Sequence, residues 1–481
     1  MKPFISLQNV EPLIYDSPFR APLNWEMNEG EVWSIIGRNG SGKSFFAKVL
    51  AGEYNLRQGK ITYSFDRDNF GDEKSENVSP PKAVKIITFN SVFSVTDFKG
   101  SYYQQRFNST ENELSPLVSD LFPENVQLEL KPVFDILNIE KIWSRRLMQL
   151  SSGELRKLLI AKALKDQPRL LVLDHPFSGL DETSRRQLDE FFYALKGNGL
   201  QLIFIVPSRT EIPMCTTNVL QLKNGQIAFS GNISSFSDNS QSLTKEPLTI
   251  DWQIFPASIT DSNEEVVNMN DIEISYGNRI INSHINWHIR KGEKWALLGP
   301  NGSGKSTLLS YIFADHPQAY SKDLRLFGRK RGTGESIWDI KKRIGFTSSE
   351  MHLYYRQNVS CLKVIASGFF DTIGLFRQCS EEQMNVADYL MNLLQIGHLK
   401  ERSFLNISSG EQRLVLFARA LVKNPELLIL DEPFHGLDDE NKNRCLQMVT
   451  SYCSQKDKTL IFVTHQKEEI PTNIEHYLML N

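Results

Sequence analysis

Two octapeptides carry the densest chemistry in this chain: GRNGSGKS at 37–44 and GPNGSGKS at 299–306. Both fit the spacing GxxxxGK[ST]. Gly37, Gly40 and Gly42, and in the second copy Gly299, Gly302 and Gly304, let backbone N–H groups turn inward around phosphate oxygens. A helix opening at the lysine–serine step would present its positive end to the same anion. Lys43 and Lys305 suit the outer phosphates, and Ser44 and Ser306 offer hydroxyls to Mg²⁺. Asn39, Asn301 and Thr307 complete the candidate nucleotide-binding set. Asp174 and Asp431 each end an apolar run, "LLVLD" and "LLILD". An acid at that place suits the shell of a Mg²⁺ ion.

These features come in pairs because the chain repeats itself. "LLVLDHPFSGLD" at 170–181 matches "LLILDEPFHGLD" at 427–438, and "IFIVPSRTEIP" at 203–213 matches "IFVTHQKEEIP" at 461–471. The copies differ where chemistry matters. His175 stands opposite Glu432, and Pro207 opposite His465. Proline has no side-chain donor.

The elements that must hold these residues follow from patterning. Short apolar runs such as "VWSIIG", "KWALLG", "QLIFIV" and "TLIFVT" read as buried strands, with helices such as "SFFAKVLAG" and "STLLSYIFAD" between them. That alternation predicts an α/β fold with a parallel sheet flanked by helices. The repeat predicts a first domain over 1–231, a linker over 232–265 and a second domain over 266–481. The linker is polar and acidic, with Lys245 against six acids, and is expected to drape over the surface. A second polar stretch, 65–82, is expected as a loop within the first copy.

Bulk properties agree with a globular two-domain chain. There are 481 residues, 40% hydrophobic and 23% charged, with a formal net charge of −3. Nothing there marks a generally basic nucleic-acid binder. The local cluster "FGRKRG" at 327–332 is expected as a solvated loop. Five cysteines without a C-x-x-C pair predict reduced thiols and no zinc or iron–sulfur site. No signal peptide or membrane span is legible, which predicts a cytoplasmic protein able to dock at the inner face of a membrane.

Ahead of each "L-D" strand lies "SSGE", covering Ser151, Ser152 and Gly153, and Ser408, Ser409 and Gly410. Small residues opening a helix make a further anion-binding helix end. With "SGLD" and "HGLD", these blocks resemble the signature and D-loop of ABC-type ATPases, over nearly the whole chain. The usual signature is L-S-G-G-Q; here Ser152 and Ser409 replace a glycine, and Glu154 and Glu411 the glutamine. The resemblance implies two ABC nucleotide-binding domains, each a parallel-sheet core with a helical subdomain, closing head to tail as an intramolecular pseudo-dimer over two ATPs. Site one would join the first cradle to Ser408–Gly410, and site two the second cradle to Ser151–Gly153. It also implies that Glu432 is the general base and His465 the switch that reads the γ-phosphate. Site one would then hold ATP long while site two turns it over. A direct role for the His175 imidazole as a base is the competing reading.

The resemblance further places Tyr276 against adenine. In the first copy the same register falls on Ile14, beside Tyr15. Ser91 and Ser349 stand where a glutamine is usual, which weakens the case for ordinary coupling to a permease. The stretch 314–346 is similar to tandem ABC proteins of molybdate transport, implying membrane permease subunits as partners. Two other classes compete: a soluble switch on the ribosome or nucleic acid, disfavoured by the short acidic linker, and an ATP-gated regulatory protein with little turnover.

Overall fold

The computed structural model describes residues 3–14, 17–64, 83–88, 116–147, 150, 152–196, 200–237, 248–259, 262–276, 279–313, 316–349, 351–355 and 357–480. The polar stretch 65–82 and Tyr15 lie outside them. The described residues fall into two compact units, 3–88 with 116–237, and 248–480. Among them no helix is long and apolar enough to cross a membrane.

Unit one begins with β1 (Pro3–Pro12), β2 (Leu23–Asn28) and β3 (Val32–Gly37), followed by α1 (Lys43–Leu50), β4 (Leu56–Tyr63) and β5 (Val84–Thr88). Two short helices, α2 (Glu124–Glu129) and α3 (Lys131–Leu137), precede α4 (Ser152–Leu164). Then come β6 (Leu170–Asp174), α5 (Glu182–Lys196), β7 (Gln201–Val206), β8 (Asn218–Lys223) and β9 (Gln226–Asn232). One sheet runs β5-β6-β7-β3-β8-β9, parallel except for the antiparallel edge strand β9. All five residues of β6 are buried, as a strand covered on both faces requires.

Unit two repeats the plan. It contains β10 (Glu265–Tyr276), β11 (Arg279–Arg290), β12 (Lys294–Leu298), α6 (Lys305–Ile312), β13 (Asp323–Leu326), β14 (Arg329–Lys330), α7 (Ile337–Arg343) and β15 (Ile344–Ser348). The helices α8 (Met351–Tyr354), α9 (Cys361–Ala366), α10 (Glu381–Leu393) and α11 (Ser409–Leu421) follow, then β16 (Leu427–Asp431), α12 (Asp439–Cys453), β17 (Thr459–Val463) and β18 (His476–Met479). The strand order is β15-β16-β17-β12-β18, wholly parallel.

The expected parallel cores are therefore present. Each unit also carries an antiparallel sheet that the sequence reading did not anticipate: β2-β1-β4 in unit one and β11-β10-β13-β14 in unit two. Alternation makes these sheets. Leu23, Trp25 and Met27 face inward and Asn24 and Glu26 outward, so one apolar face packs on α1 through Phe46. The "FGRKRG" cluster belongs to this layer in unit two. Phe327 and Arg331 are buried, with the Arg331 guanidinium over Tyr320 and paired to Glu335, while Arg329 and Lys330 are exposed.

The stretch 232–265 divides between the units. Phe236 is buried with unit one, whereas 248–256 straps onto unit two. The Asp251 N–H donates to Tyr389 Oη of α10 (3.0 Å), and Trp252 Nε1 to Ser451 Oγ of α12 (3.0 Å). Asn424 Nδ2, just past α11, donates to the Pro256 carbonyl (3.3 Å). Ile250 and Phe255 are buried among these helices. The strap thus ties three helical regions together, in contrast to a segment lying on the surface.

Phe255 is buried in the unit-two core, so Phe255→Ala is expected to destabilise unit two by about 3 kcal/mol. Urea unfolding checks this. An unchanged midpoint and slope would show that the strap is only laid on.

Candidate nucleotide sites

Both cradles sit at the carboxyl end of a central parallel strand. β3 runs into 37–44 and β12 into 299–306, and the lysines open α1 and α6. Gly42 and Gly304 cap these helices at φ +94° and +93°, where a glycine costs least. Gly40 and Gly302, the middle glycines of the two loops, also have positive φ, +77° and +85°, and both are exposed. A Cβ on Gly302 would meet nothing within 4 Å, so that position needs a backbone conformation and not space. The first glycine of each loop is required for space. A Cβ on Gly37 would lie 2.3 Å from the Leu222 carbonyl oxygen, and one on Gly299 would lie 2.5 Å from that of Leu480. Asn39 and Asn301 are half-buried beside the middle glycines, and Thr307 is buried in the first turn of α6.

Lys43 Nζ donates to the carbonyls of Gly37 (2.6 Å) and Arg38 (2.9 Å), and Lys305 Nζ to those of Gly299 (2.6 Å) and Pro300 (2.8 Å). Each ammonium is thereby held buried across its own loop. Ser41 Oγ and Ser303 Oγ are buried without a hydrogen-bond partner, as groups awaiting phosphate oxygens would be.

The two strand-ending aspartates sit beside the cradle serines. Ser44 Oγ donates to Asp174 Oδ2 at 2.6 Å, and Ser306 Oγ to Asp431 Oδ2 at 3.3 Å. Burial dominates at Asp174 and holds its carboxyl above the usual carboxylate range, against the Ser44 hydrogen bond and the charges of Lys43 and Lys48. Its Oδ1 is buried without a hydrogen-bond partner. A hydroxyl and an under-satisfied carboxylate beside a lysine fit a divalent cation, whose charge would favour the ionised form.

The two positions that differ between the copies occupy one backbone frame. The His175 N–H donates to the Ile205 carbonyl of β7, and the Glu432 N–H to the Val463 carbonyl of β17, each at 2.9 Å. Both residues have positive φ, +55° and +50°. That left-handed turn is costly for a side chain with a Cβ and swings it away from the strand line. In unit two it brings Glu432 Oε1 within 3.2 Å of His465 Nδ1. Burial, the largest influence, pulls the imidazole down. The hydrogen bond and charge of Glu432, with Glu469, outweigh it and hold His465 above its ordinary value. In unit one, Pro207 directly follows β7 and offers no such partner. The His175 side chain faces Asp174 instead, with Nε2 3.6 Å from Oδ1.

The signature blocks open α4 and α11. Ser408 caps α11 in a capping box: its Oγ accepts from the Glu411 N–H (3.4 Å), and Glu411 Oε2 accepts from the Ser408 N–H (2.8 Å). Glu411, which replaces a glutamine of the resemblance, therefore closes the helix end. Its counterpart Glu154 instead accepts from Arg145 Nη1 at 2.9 Å. Gly153 is in close quarters, since a Cβ there would come 3.3 Å from Leu180. Ser409 begins α11 and Gly410 is buried within it. Ser151, Ser91 and the side chains of Ser152 and Tyr276 lie outside the described residues.

Ser349 lies beside site two, its N–H donating to the Asp431 carbonyl at 3.0 Å. Sequence reasoning missed the residues that shelve the cradles. Pro18 and Phe19 lie within 3.1 Å and 3.4 Å of a Cβ placed on Gly42, and Ile274 takes that place at Gly304, at 2.9 Å. Ile274 lies on β10 two residues before Tyr276, where the pairing of β10 with β11 shifts register. In the first copy β1 ends at Pro12, and the repeat register offers no signal for Phe19.

The sequence pattern of the ABC transporter family matches residues 21–178 and 282–435. The ABC transporter ATP-binding protein ModF of Escherichia coli (strain K12) is 36% identical over 94% of this chain and 91% of its own length. An uncharacterized ABC transporter ATP-binding protein of Schizosaccharomyces pombe is 28% identical over 98% of this chain and 96% of its own. Among solved structures, a chain of a model of ribosome-bound archaeal Pelota and ABCE1 superposes with a TM-score of 0.55. It is 19% identical, covering 94% of this chain and 72% of that one, a likeness of fold.

Gly299→Ala would force a methyl group against the Leu480 carbonyl in a backbone region that disfavours it. Strain of roughly 1–3 kcal/mol corresponds to about tenfold or more weaker ATP binding at that cradle. Equilibrium binding of a fluorescent ATP analogue to a chain also carrying Lys43→Ala measures it; wild-type affinity would contradict the packing described.

Proposed function

Because the chain belongs to the ABC transporter family, we propose that it is an ATP-driven clamp with one hydrolytic and one slow nucleotide site. It is an ATP hydrolase carrying two ABC domains. The observation that carries the asymmetry is the shared backbone frame at 175 and 432, filled by a histidine in unit one and a glutamate paired to His465 in unit two.

In the proposed mechanism, Gly299–Ser306 binds the triphosphate through backbone N–H groups, with Lys305 on the outer phosphates. Ser306 and Asp431 would hold Mg²⁺, which when bound neutralises charge developing on the phosphates. Glu432 takes the proton of the attacking water, and His465 orients that carboxylate and meets the γ-phosphate. A positioned base contributes roughly 10²–10⁴-fold. In unit one the cradle, Ser44 and Asp174 provide binding, while His175 and Pro207 leave no counterpart of the Glu432–His465 pair. ATP at that site is held with slow cleavage.

We place the signature helix ends across the two sites: Ser408–Gly410 over the unit-one cradle, and Ser151–Gly153 over the unit-two cradle. Closure over ATP would supply the work of the clamp. The reading we favour for what the clamp acts on is a permease of molybdate transport, on the resemblance of 314–346. Its chemistry is that of a protein surface that distinguishes closed from open units.

Glu432→Gln keeps the size of the side chain and removes the base, so steady-state ATP turnover is expected to fall by roughly 10²-fold or more with binding retained. Unchanged turnover would remove site two from its role. Gly153→Asp sets a carboxylate against the γ-phosphate held by Lys305. Turnover is expected to fall although Glu432 is intact. Full activity in that variant would refute the cross-unit arrangement.

A further inference from the structure

Three side chains of unit one converge at the mouth of its cradle. Asp174 Oδ2 accepts from Ser44 Oγ at 2.6 Å, and Asp174 Oδ1 faces His175 Nε2 at 3.6 Å. Oδ1 is buried and has no hydrogen-bond partner, and the two side chains are only 7% and 12% exposed. In unit two the residue at the same backbone position points elsewhere, since Glu432 is held by His465. In unit one, where Pro207 replaces the histidine, the residue following the metal aspartate thus faces that aspartate.

We propose that unit one binds its nucleotide with a first-row divalent transition-metal ion, of which Mn²⁺ is the simplest, held by Ser44, Asp174 and the His175 imidazole. This rests on the reading that the unit-one cradle binds ATP. The separation suits shared ligation. Neighbouring donors about 2.1 Å from an octahedral ion such as Mn²⁺ stand about 3.0 Å apart, so Nε2 and Oδ1, at 3.6 Å, need to approach by only about 0.6 Å to share it. A nitrogen donor raises affinity for transition-series cations over Mg²⁺, which prefers an all-oxygen shell. Among the described residues no set of three or more His, Cys, Asp and Glu side chains converges on a metal site. The remaining positions would be filled by phosphate oxygens and water, so metal and nucleotide bind together. Substituting imidazole for a carboxylate also removes a negative charge beside the phosphates. The change that removes the base thus builds a better holding site.

The test uses the full chain with Lys305→Ala, which empties site two, loaded with Mn²⁺ and ATP. Pulsed electron paramagnetic resonance is expected to show coupling of the Mn²⁺ to phosphate phosphorus and to an imidazole nitrogen. The nitrogen signal changes on ¹⁵N-histidine labelling and disappears in His175→Gln. Phosphorus coupling without nitrogen coupling overturns the proposal and leaves ATP binding by unit one standing. Absence of both overturns the binding reading as well. A second measurement needs no cradle variant. In the otherwise unaltered chain, slowly released ATP is expected to persist at Mn²⁺ concentrations on the order of tenfold lower than for Mg²⁺. His175→Gln should bring that ratio close to one. A ratio near one in the unaltered chain would also overturn the assignment.

Discussion

A single backbone hydrogen bond sets the chemistry of each unit: the residue after the metal aspartate donates its N–H to the neighbouring parallel strand, His175 to Ile205 and Glu432 to Val463. The bond fixes a left-handed turn at the carboxyl edge of the sheet, and the turn decides where the next side chain can reach. Crossover connections keep β6 beside β7, and β16 beside β17, so the donor and acceptor strands are neighbours in both units. With the frame held constant, the units differ in a carboxylate replaced by an imidazole and a histidine replaced by proline. In the proposed reading, two substitutions at the sheet edge separate a site for cleavage from one for retention.

The parts of the molecule fixed by local chemistry were legible in the sequence. The cradles, the buried acid-ended strands and the helix-opening "SSGE" blocks each depend on residues a few positions apart. Parts fixed by distant partners were less legible. Sheet β2-β1-β4 needs Pro3–Pro12 to find both Leu23–Asn28 and Leu56–Tyr63, and its alternation is interrupted by register shifts near Gln8–Glu11. The strap at 248–256 reads as polar linker because Ile250, Trp252 and Phe255 are isolated apolar residues. Their partners Tyr389 and Ser451 lie far downstream. Nor does Glu432 announce its positive φ, since glutamate is not among the residues enriched there. Phe19 was hidden because unit one leaves the strand after Pro12, so the repeat register no longer points to the residue at the cradle.

The asymmetry is confined. Both units keep glycines that a Cβ would disrupt, lysines held by loop carbonyls, and serines bonded to aspartates. Elsewhere the units diverge in what braces them. Glu411 closes a capping box in unit two, while Glu154 answers an arginine in unit one. The strap adds a brace across α10, α12 and the end of α11 in unit two, the unit proposed to undergo repeated turnover. A helix end that carries a signature gains from such support, because displacement by about an ångström is costly when reacting groups must be aligned.

The fate of two nucleotides bound at once distinguishes a working site from a holding site most directly. Full-length chain is loaded with ATP carrying separate labels on the base and the γ-phosphate, freed of excess, and sampled through a single round. One nucleotide per chain is predicted to become ADP, while the other remains triphosphate over many turnover times. Two ADP per chain formed at similar rates would show that His175 acts as a competent base, and would contradict the division into a working site and a holding site.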